Sequence, residues 1–332
     1  MTIPLSILDL ALVSRGQTPR DAFAASVALA QRGEALGYRR VWYAEHHNMA
    51  TIASSATSVL IAHVAAHTRT IRVGAGGIML PNHAPLVIAE QFGTLESLHP
   101  GRIDLGLGRA PGTDPTTSRA LRLYPSSVDA FDEDVLELQG YLGDASRVPG
   151  VEAMPGKGTH VPLYILGSSL YGAKLAARLG LPYAFASQFA PQALEEAVSA
   201  YRRAFQPSAE LAAPYVIAGL NVTAADTRED AEAQFEWLKR ARARALLGRG
   251  AKWTDEETEA VLASPAGQHV TAMTKYAAVG TEADVKAYVE RFARLADADE
   301  LIIVLASPTL DARLRSAEIL ARAAGLAPAE AP

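Results

Sequence analysis

Short, almost continuously apolar runs alternate with amphipathic stretches of helical periodicity along the whole chain. The eight runs are Pro4–Asp9, Arg40–Glu45, Ile71–Ile78, Ile103–Gly108, Pro162–Gly167, Pro182–Ala186, Tyr215–Val222 and Glu300–Leu305. Runs that are apolar on both faces are typical of parallel strands covered by helices. Strands that alternate with helices predict a series of βαβ units.

The predicted helices between the runs have recognisable start and stop signals. The segment Thr18–Asp21 opens one helix, with proline at the first helical position and an acid placed for a capping box, and Gly37 closes it. The same Thr-x-x-Asp signature recurs at Thr227–Asp230 and Thr281–Asp284. These signals support the alternation of strands and helices.

Eight strand–helix alternations predict an α/β fold of the (β/α)8 TIM-barrel type, which needs about 250 residues in one domain. We therefore expect one domain over residues 1–326 and a tail at 327–332. The surplus of about 80 residues over such a barrel falls in three insertions, which are rich in Gly, Pro and polar residues or break the alternation. These insertions are Ala110–Ser126, Gly143–Val161 and Gly248–Tyr276.

Two other architectures compete with this prediction. At roughly 150 residues per domain, length alone suggests two domains, but the alternation continues through both halves of the chain. An open doubly wound sheet would be favoured by a Gly-rich dinucleotide fingerprint after the first strand, and none follows it.

Composition and charge exclude several classes of function. The chain is 49% hydrophobic and has a net charge of −5 without a Lys/Arg cluster, so we expect neither a nucleic acid nor an anionic membrane as partner. Cysteine is absent, which excludes disulfides, thiolate nucleophiles and Cys-ligated metals. No apolar run approaches the roughly 18 residues that span a bilayer, and the N-terminal segment does not resemble a signal peptide. We expect a soluble, cytoplasmic protein.

The second run ends in two adjacent histidines, at the end of a strand where barrel enzymes place their function. Because strand side chains alternate, His46 shares a face with Trp42 and Ala44, whereas His47 lies on the other face. An adjacent pair is a weak metal signal, and we expect no metal. His46 is a candidate acid/base because histidine titrates near neutrality. A bonding role with the backbone at the strand end remains the simpler alternative.

The third run contains Gly74, Gly76 and Gly77. Glycine in a core strand packs no side chain, so it marks a bulge or the close approach of a ligand or another backbone. A flat ring lying against this strand would need such missing side chains. Tight packing within the barrel explains the same glycines.

Two further strand ends indicate an anion site. The fourth run delivers Arg109 to the barrel mouth, where its fork of donors matches a phosphate. Ser168 and Ser169 follow the fifth run at the start of a predicted helix, which supplies free backbone N–H groups, two hydroxyls and the positive end of the helix dipole. A salt bridge of Arg109 and an ordinary serine N-cap are the structural alternatives.

In this order, these motifs resemble the bacterial-luciferase-like family of flavin-dependent monooxygenases. The resemblance is found in Val41–Asn48, Ile71–Pro81, Leu86–Phe92 and Pro100–Asp114, with support from Tyr164–Ala173 and Glu300–Ala306. It covers most of the chain and is strongest in the first 114 residues. The segment Gly248–Tyr276 contains no recognisable motif.

The resemblance implies a barrel that binds FMN non-covalently, with its isoalloxazine ring over the third strand and a cis peptide at Gly76–Gly77. Arg109, Ser168 and Tyr171 match positions that hold the FMN phosphate in relatives. The full set of expected cofactor-binding residues is Ala75, Gly76, Gly77, Arg109, Ser168, Ser169 and Tyr171. His46 matches the histidine that luciferase uses for acid/base support and is the one catalytic candidate. Gly108 stands where luciferase has a cysteine, so light emission is not implied.

The implied activity is a monooxygenase reaction in which reduced FMN and O₂ form a flavin C4a-hydroperoxide that oxidises a small organic substrate. Without a nicotinamide fingerprint, reduced FMN is expected from a separate flavin reductase. The insertions Ala110–Ser126 and Gly248–Tyr276 are the candidate substrate walls and lid. The segment Ala53–Ala66, rich in small and β-branched residues, predicts a homodimer, because the equivalent helices pair in luciferase.

Three other functions remain open. A flavin- or F420-dependent oxidoreductase would pass hydride without oxygenation. A barrel hydrolase would use a metal held by His46 and His47. A non-catalytic flavin-binding protein would bind the cofactor without turnover. The substrate and the partner reductase are not specified by the sequence.

Overall fold

The structure is a computed structural model that describes residues 3–14, 16–110, 112–123, 125–248, 251 and 253–327. The described strands are β1 (Leu5–Asp9), β2 (Arg40–Tyr43), β3 (Arg72–Met79), β4 (Ile103–Gly108), β5 (Leu163–Gly167), β6 (Tyr183–Phe185), β7 (Val216–Ala224), β8 (Ala277–Gly280) and β9 (Glu300–Leu305). Each of the eight apolar runs coincides with one strand, with ends that agree within two residues.

Helices separate the strands, as the periodicity predicts. They are α1 (Pro19–Leu36), α2 (Thr57–Ala66), α3 (Pro85–Leu98), α4 (Pro115–Ala120), α5 (Pro125–Asp129), α6 (Phe131–Leu142), α7 (Leu170–Leu179), α8 (Leu194–Ala204), α9 (Arg228–Leu247), α10 (Asp255–Leu262), α11 (Pro265–Ala272), α12 (Glu282–Leu295) and α13 (Leu310–Ala324). A 3₁₀ turn at Leu80–Asn82 follows β3. No helix in these described ranges is long and apolar enough to cross a membrane.

Eight of the strands close into a parallel barrel, which confirms the predicted (β/α)8 fold. The hydrogen-bonded order is β6-β5-β4-β3-β2-β1-β9-β7, and a β6–β7 pairing completes the ring. The short strand β8 was not predicted. It pairs with the C-terminal half of β7, from Asn221↔Ala277 to Ala224↔Gly280, and lies outside the ring of eight strands.

The predicted start and stop of α1 are confirmed. Thr18 and Asp21 form a reciprocal capping box, and Gly37 ends the helix in the left-handed region at φ 85°. The insertion Ala110–Ser126 contains α4, although Pro111 and Tyr124 lie outside the described residues. The insertion Gly248–Tyr276 contains α10 and α11. Apart from Ala327, the predicted tail at 327–332 also lies outside the described residues.

Alternation along the strands divides the buried side chains into two clusters. One fills the barrel interior and includes Trp42 and Ala44 of the β2 segment and Ile217 of β7. The other lies between the barrel and its helices and includes Val41 and Tyr43. The β2 side chains therefore point alternately inward and outward, as the sequence pattern predicts.

A charged cluster lies inside the barrel at the N-terminal ends of the strands. Arg40 donates to Asp104 at 2.8 Å and to the Tyr164 hydroxyl at 2.7 Å, and its Nε lies 2.9 Å from Glu300. The Trp42 indole donates to the same Asp104 at 3.0 Å. In (β/α)8 barrels this end serves stability and the opposite end carries the chemistry, so the functional site is expected at the C-terminal ends.

Candidate active site

The C-terminal ends of β3, β4 and β5 are neighbours in the barrel wall. Gly76 of β3 pairs with Gly106 of β4, and Gly108 at the end of β4 pairs with Leu166 of β5. Arg109 and Ser168 therefore leave adjacent strands, next to the strand that carries the glycines. The fold brings together the three places that the sequence predicts for ring and phosphate.

The glycines of β3 lie where side chains have no room. The predicted cis peptide at Gly76–Gly77 is confirmed. A Cβ on Gly76 would come within 2.9 Å of Trp42 Cβ, and one on Gly77 within 2.7 Å of the Gly106 carbonyl oxygen. The Ala75 side chain is fully buried in the cluster outside the barrel. Close packing against Trp42, Leu8 and the Gly106 backbone thus explains the glycines.

Arg109 lies at the surface of the mouth and stacks on an aromatic ring. Its guanidinium carbon lies 3.8 Å from the centroid of the Tyr171 ring. No carboxylate in the described part of the chain forms an ion pair with Arg109, so these residues do not support the alternative that Arg109 forms a structural salt bridge. Stacking positions a guanidinium and leaves its N–H groups available to an anion.

Tyr171 itself is anchored by Asp132 of α6. Its hydroxyl donates to one Asp132 oxygen, and Arg178 of α7 donates to the other at 2.5 Å. Burial and this hydrogen bond raise the pKa of the Tyr171 hydroxyl, against the opposing effect of Arg109. The structure therefore directs the ring of Tyr171 towards Arg109 and its hydroxyl towards Asp132.

Ser168 and Ser169 stand at the N-terminus of α7. Ser169 occupies the N-cap position in extended conformation, but its hydroxyl makes no capping hydrogen bond. The only described contact at this residue is with its carbonyl oxygen, which accepts from the Tyr183 hydroxyl at 3.0 Å. Ser169 is therefore not an ordinary serine N-cap, because its hydroxyl does not cap the helix. The first backbone N–H groups of α7 lack a side-chain cap and lie beside Arg109.

His46 follows β2, two residues after Ala44 of the barrel-interior cluster. Its Nδ1 lies 3.3 Å from the carbonyl oxygen of Gly112. A carbonyl only accepts, so Nδ1 carries the proton and Nε2 is the unprotonated nitrogen. Burial lowers the pKa of His46, only partly offset by Gly112 and Glu45. The imidazole is therefore neutral at pH 7, with Nε2 able to accept a proton.

Gly112 belongs to the loop after β4, which docks onto the His46 segment. Gly112 has a φ of 66°, and a Cβ there would lie 3.0 Å from the Glu45 carbonyl oxygen. The Thr113 hydroxyl donates to the His47 carbonyl at 3.1 Å, and the Asn48 amide donates to the Thr117 hydroxyl at 2.9 Å. The described part of insertion Ala110–Ser126 thus packs against the catalytic candidate.

His47 lies on the opposite side of the segment, in a cluster that the sequence analysis did not identify. The buried Glu45 carboxylate contacts His47 at 2.8 Å and His83 at 3.0 Å, and it accepts from the Met79 backbone N–H at 2.9 Å. The hydrogen bonds and charge of His83 and the bonds from Asn82 and His47 outweigh burial and lower the pKa of Glu45. This cluster ties β2 to the exit of β3. Among residues with described positions, no group of His, Asp or Glu is arranged to hold a metal ion.

Helix α9 covers the mouth of the barrel, a role that the sequence analysis assigned to the insertions alone. Leu238 is buried in the interior cluster, and Phe235 and Trp237 pack against it. The helices α10 and α11 of insertion Gly248–Tyr276 pack against α9. The missed signal is the spacing of Phe235, Leu238 and Arg242, which puts all three on one helix face.

A parallel (β/α)8 barrel with functional groups at the C-terminal mouth defines the class of barrel enzymes. The comparisons with known proteins make the family specific. Residues 4–299 match the family described as luciferase-like monooxygenase, and the chain belongs to that family. The resemblance drawn from the motifs is thereby confirmed.

Individual relatives agree with this assignment. The chain is 46% identical over 321 residues to the "Luciferase-like monooxygenase" of Escherichia coli (strain K12), covering 96% of each chain. It is 40% identical over 239 residues to the "N-acetyl-S-alkylcysteine monooxygenase" of Bacillus subtilis (strain 168), covering 69% of this chain and 70% of the relative. The crystal structure of apo-MsnO8 superposes with a TM-score of 0.89 at 35% identity, covering 98% of this chain and 100% of that one. The protein is therefore an oxygen-using oxidoreductase.

Proposed function

We propose that this enzyme binds FMN non-covalently at the mouth of its barrel and uses reduced FMN and O₂ to oxidise a small organic substrate. The observation that carries the proposal is Arg109. Its guanidinium stacks 3.8 Å from the Tyr171 ring centroid and has no carboxylate partner among the described residues. It stands beside the open N-terminus of α7, and an arginine next to free helix N–H groups is suited to a phosphate.

The neighbouring wall suits a flat ring. Beside Arg109 and Ser168, the Gly76–Gly77 stretch presents backbone without side chains, and the mouth is closed on the other side by apolar residues of α9. We place the FMN phosphate at Arg109, Ser168, Ser169 and the start of α7, with Tyr171 holding Arg109. We place the ring against Ala75, Gly76 and Gly77. Reduced FMN bound there would supply the electrons that activate O₂.

The protein's own contribution to the reaction is a proton acceptor and a dry site. His46 presents Nε2 as an acceptor because Gly112 holds the proton on Nδ1. Phe235 and Leu238 of α9 exclude water from the barrel interior. The relative from Bacillus subtilis named for N-acetyl-S-alkylcysteines supports a small, sulfur-containing organic substrate.

The proposal is tested by the phosphate dependence of flavin binding. We expect Arg109→Ala to weaken FMN about tenfold to a hundredfold, or about 1.4–2.8 kcal/mol, because a charge-assisted contact is lost. Riboflavin, which lacks the phosphate, is expected to bind the variant as it binds the wild type. The measurement is a fluorescence titration with oxidised flavins, repeated anaerobically with reduced FMN.

Arg203→Ala is the matched control, since Arg203 is an exposed arginine of α8 that donates to Ser199. It should leave both affinities unchanged. Equal losses of FMN and riboflavin in Arg109→Ala would remove Arg109 from the phosphate site. Absence of binding by wild-type protein to either redox form of FMN would refute the proposed function.

We further propose that a separate reductase supplies reduced FMN, that the protein is cytoplasmic, and that it forms a homodimer through α2. Support for the reductase is the lack of a nicotinamide fingerprint in the sequence. Oxidation of NADH or NADPH by the purified protein with FMN alone would contradict it. If FMN binds but no oxygen is consumed with any substrate, the non-catalytic flavin-binding alternative is favoured.

A further inference from the structure

Arg242 of α9 lies at the mouth of the barrel, above the ends of β6 and β7. Its Nη1 donates to the carbonyl oxygen of Gln188, which follows β6, and its Nη2 donates to Asn221 Oδ1, both at 3.4 Å. Asn221 has the same strand parity as Ile217, whose side chain is in the barrel-interior cluster. Arg242 therefore reaches over the interior two to three strands away from β4, which Arg109 follows.

The charge of Arg242 is poorly compensated by the protein. No described carboxylate lies within ion-pair distance of it, and burial alone lowers its pKa to about 10. It thus stays protonated at neutral pH. Two long hydrogen bonds to neutral oxygens occupy few of the five N–H donors of a guanidinium. A largely buried cation is normally paired or bound to an anion.

The two neighbouring arginines of α9 show the contrast. Arg240 lies 2.5 Å from Glu259, and Arg244 pairs with Asp255. Both partners, Glu259 and Asp255, are residues of α10. Helix α9 therefore pairs Arg240 and Arg244 with carboxylates of α10, whereas Arg242 has no carboxylate partner in the part of the chain that the structure describes.

Two buried amide oxygens on the elements that flank Arg242 have no described partner. Gln234 precedes Arg242 by two turns on the same helix face, and its Oε1 is buried with no described partner. The Oε1 of Gln188 is also buried without one. Between Gln234 and Arg242, Leu238 contributes an apolar surface to the interior. Arg242 thus lies beside an apolar surface of its own helix, and the Gln188 Oε1, which lies against Gly219 of β7, adds a buried hydrogen-bond acceptor near it.

We propose that Arg242 binds the carboxylate of the organic substrate, so that the enzyme acts on small carboxylic acids. The apolar part of such a substrate lies against Leu238 and Phe235. The assignment deepens the proposed function and rests on it for the place of this site beside the flavin. Asn221 is the positioning residue: its amide nitrogen donates to Gln188 O at 2.7 Å and to Tyr276 O at 3.2 Å, which turns Oδ1 towards Arg242.

The test compares carboxylates with their neutral amides. Calorimetry measures binding of butanoate, butanamide, 3-(methylthio)propanoate and its amide to the apo and the FMN-loaded protein. We expect each carboxylate to bind wild type at least about tenfold more tightly than its amide, which is about 1.4 kcal/mol. Arg242→Gln should abolish this preference, and Arg242→Lys, which keeps the charge, should retain part of it.

Arg240→Gln is the matched control, since it removes the same charge from the same helix at a residue paired with Glu259. It should keep the full carboxylate preference. Circular dichroism and the melting temperature establish that each variant is folded, and Arg242→Lys serves if Arg242→Gln is not. Wild type that binds carboxylate and amide equally, or binds neither, overturns the inference, as does a preference that survives in Arg242→Gln.

A second readout separates this inference from the proposed function. FMN and riboflavin affinities should be the same in Arg242→Gln as in wild type. If Arg242→Gln weakens FMN but not riboflavin, the arginine binds the cofactor phosphate and the inference is wrong. If wild type fails to bind FMN, the proposed function fails, whereas the carboxylate titration of the apo protein still decides the role of Arg242.

Discussion

The tautomer of His46 depends on one hydrogen bond to the loop that follows β4. The alternation of the second strand predicts that His46 shares a face with Trp42 and Ala44, and the structure places those two side chains in the barrel interior. The tautomer could not be predicted, because the Gly112 carbonyl that fixes Nδ1–H arrives from a loop 66 residues along the chain. Asp132 was missed for the same reason, since it approaches Tyr171 from another helix. The alternation along a strand predicts which face a side chain lies on. Its hydrogen-bond partners come from distant loops and helices, whose paths the local sequence pattern does not predict.

His46 should titrate below its ordinary value of 6.5. Burial is the main cause of its lowered pKa, and the unfolded chain binds the proton more readily than the folded one. The stability that neutral His46 contributes is therefore complete above pH 6.5 and is lost as the pH falls through the folded pKa. NMR titration of the imidazole, assigned with His46→Gln, measures this value. A pKa at or above 6.5 in the folded protein would contradict the buried, neutral imidazole.

Local signals predicted some elements fully and others not at all. The capping box of α1 and the barrel strands are encoded in consecutive residues, so their positions agree with the sequence analysis. The strand β8 has only four residues and lacks a long apolar run. Helix α9 is rich in Arg and Glu, which is typical of a solvated helix, and its role follows only from its position over the mouth. The strand β8 and the position of α9 over the mouth were therefore not predicted, because both depend on tertiary contacts and not on a local sequence pattern.

Helix α2 carries the test of the proposed homodimer. Its exposed side includes Val59, which is 68% exposed, and the flanking helix α3 exposes Leu98 at 64%. An apolar surface on adjacent helices is suited to a second copy of the chain. We expect Val59→Asp to convert the dimer to a monomer, measured by light scattering coupled to gel filtration.

Met154→Asp is the control for this variant, because Met154 is equally exposed, at 68%, but belongs to the insertion Gly143–Val161. It should leave the mass unchanged. A monomeric wild type at micromolar concentration, or a Val59→Asp protein that stays dimeric, would exclude association through α2.

The two ends of the barrel carry different kinds of residues: a buried charged cluster at the N-terminal ends of the strands, and the proposed functional groups at the C-terminal ends. The eight-strand barrel was predictable because each of its strands coincides with an apolar run in the sequence. The polar cluster at its N-terminal end was not, since Arg40, Asp104 and Glu300 stand at the starts of three separate runs and meet only when the barrel closes. In the sequence these residues look like ordinary charged strand ends. Their joint burial is a property of the closed ring and of no single element.

The strongest prediction for the whole molecule concerns Arg40. Its side chain is 1% exposed and pairs with two fully buried carboxylates from β4 and β9. Arg40→Met removes the fully buried cation that joins the two carboxylates: Asp104 keeps Arg72 at 2.6 Å, but Glu300 keeps only the half-exposed Arg39 at 3.8 Å. Breaking such a buried pair costs about 3–5 kcal/mol. We expect this loss in urea unfolding. Arg39→Met is the control: the Arg39 side chain is 47% exposed and 3.8 Å from Glu300, so its loss should cost less than about 1 kcal/mol.

Restoring charge balance distinguishes a buried-charge effect from a packing defect. Adding Asp104→Asn and Glu300→Gln to Arg40→Met removes both carboxylates that Arg40 joins, and we expect it to recover part of the lost stability because replacing a whole buried ion cluster is far less costly than breaking it. A triple variant as unstable as Arg40→Met would attribute the loss to packing around Trp42 and Tyr164. Equal, small effects of Arg40→Met and Arg39→Met would show that the cluster does not hold the barrel closed. Because the cluster lies at the end remote from His46 and Arg109, the FMN affinity of folded Arg40→Met should match that of wild type.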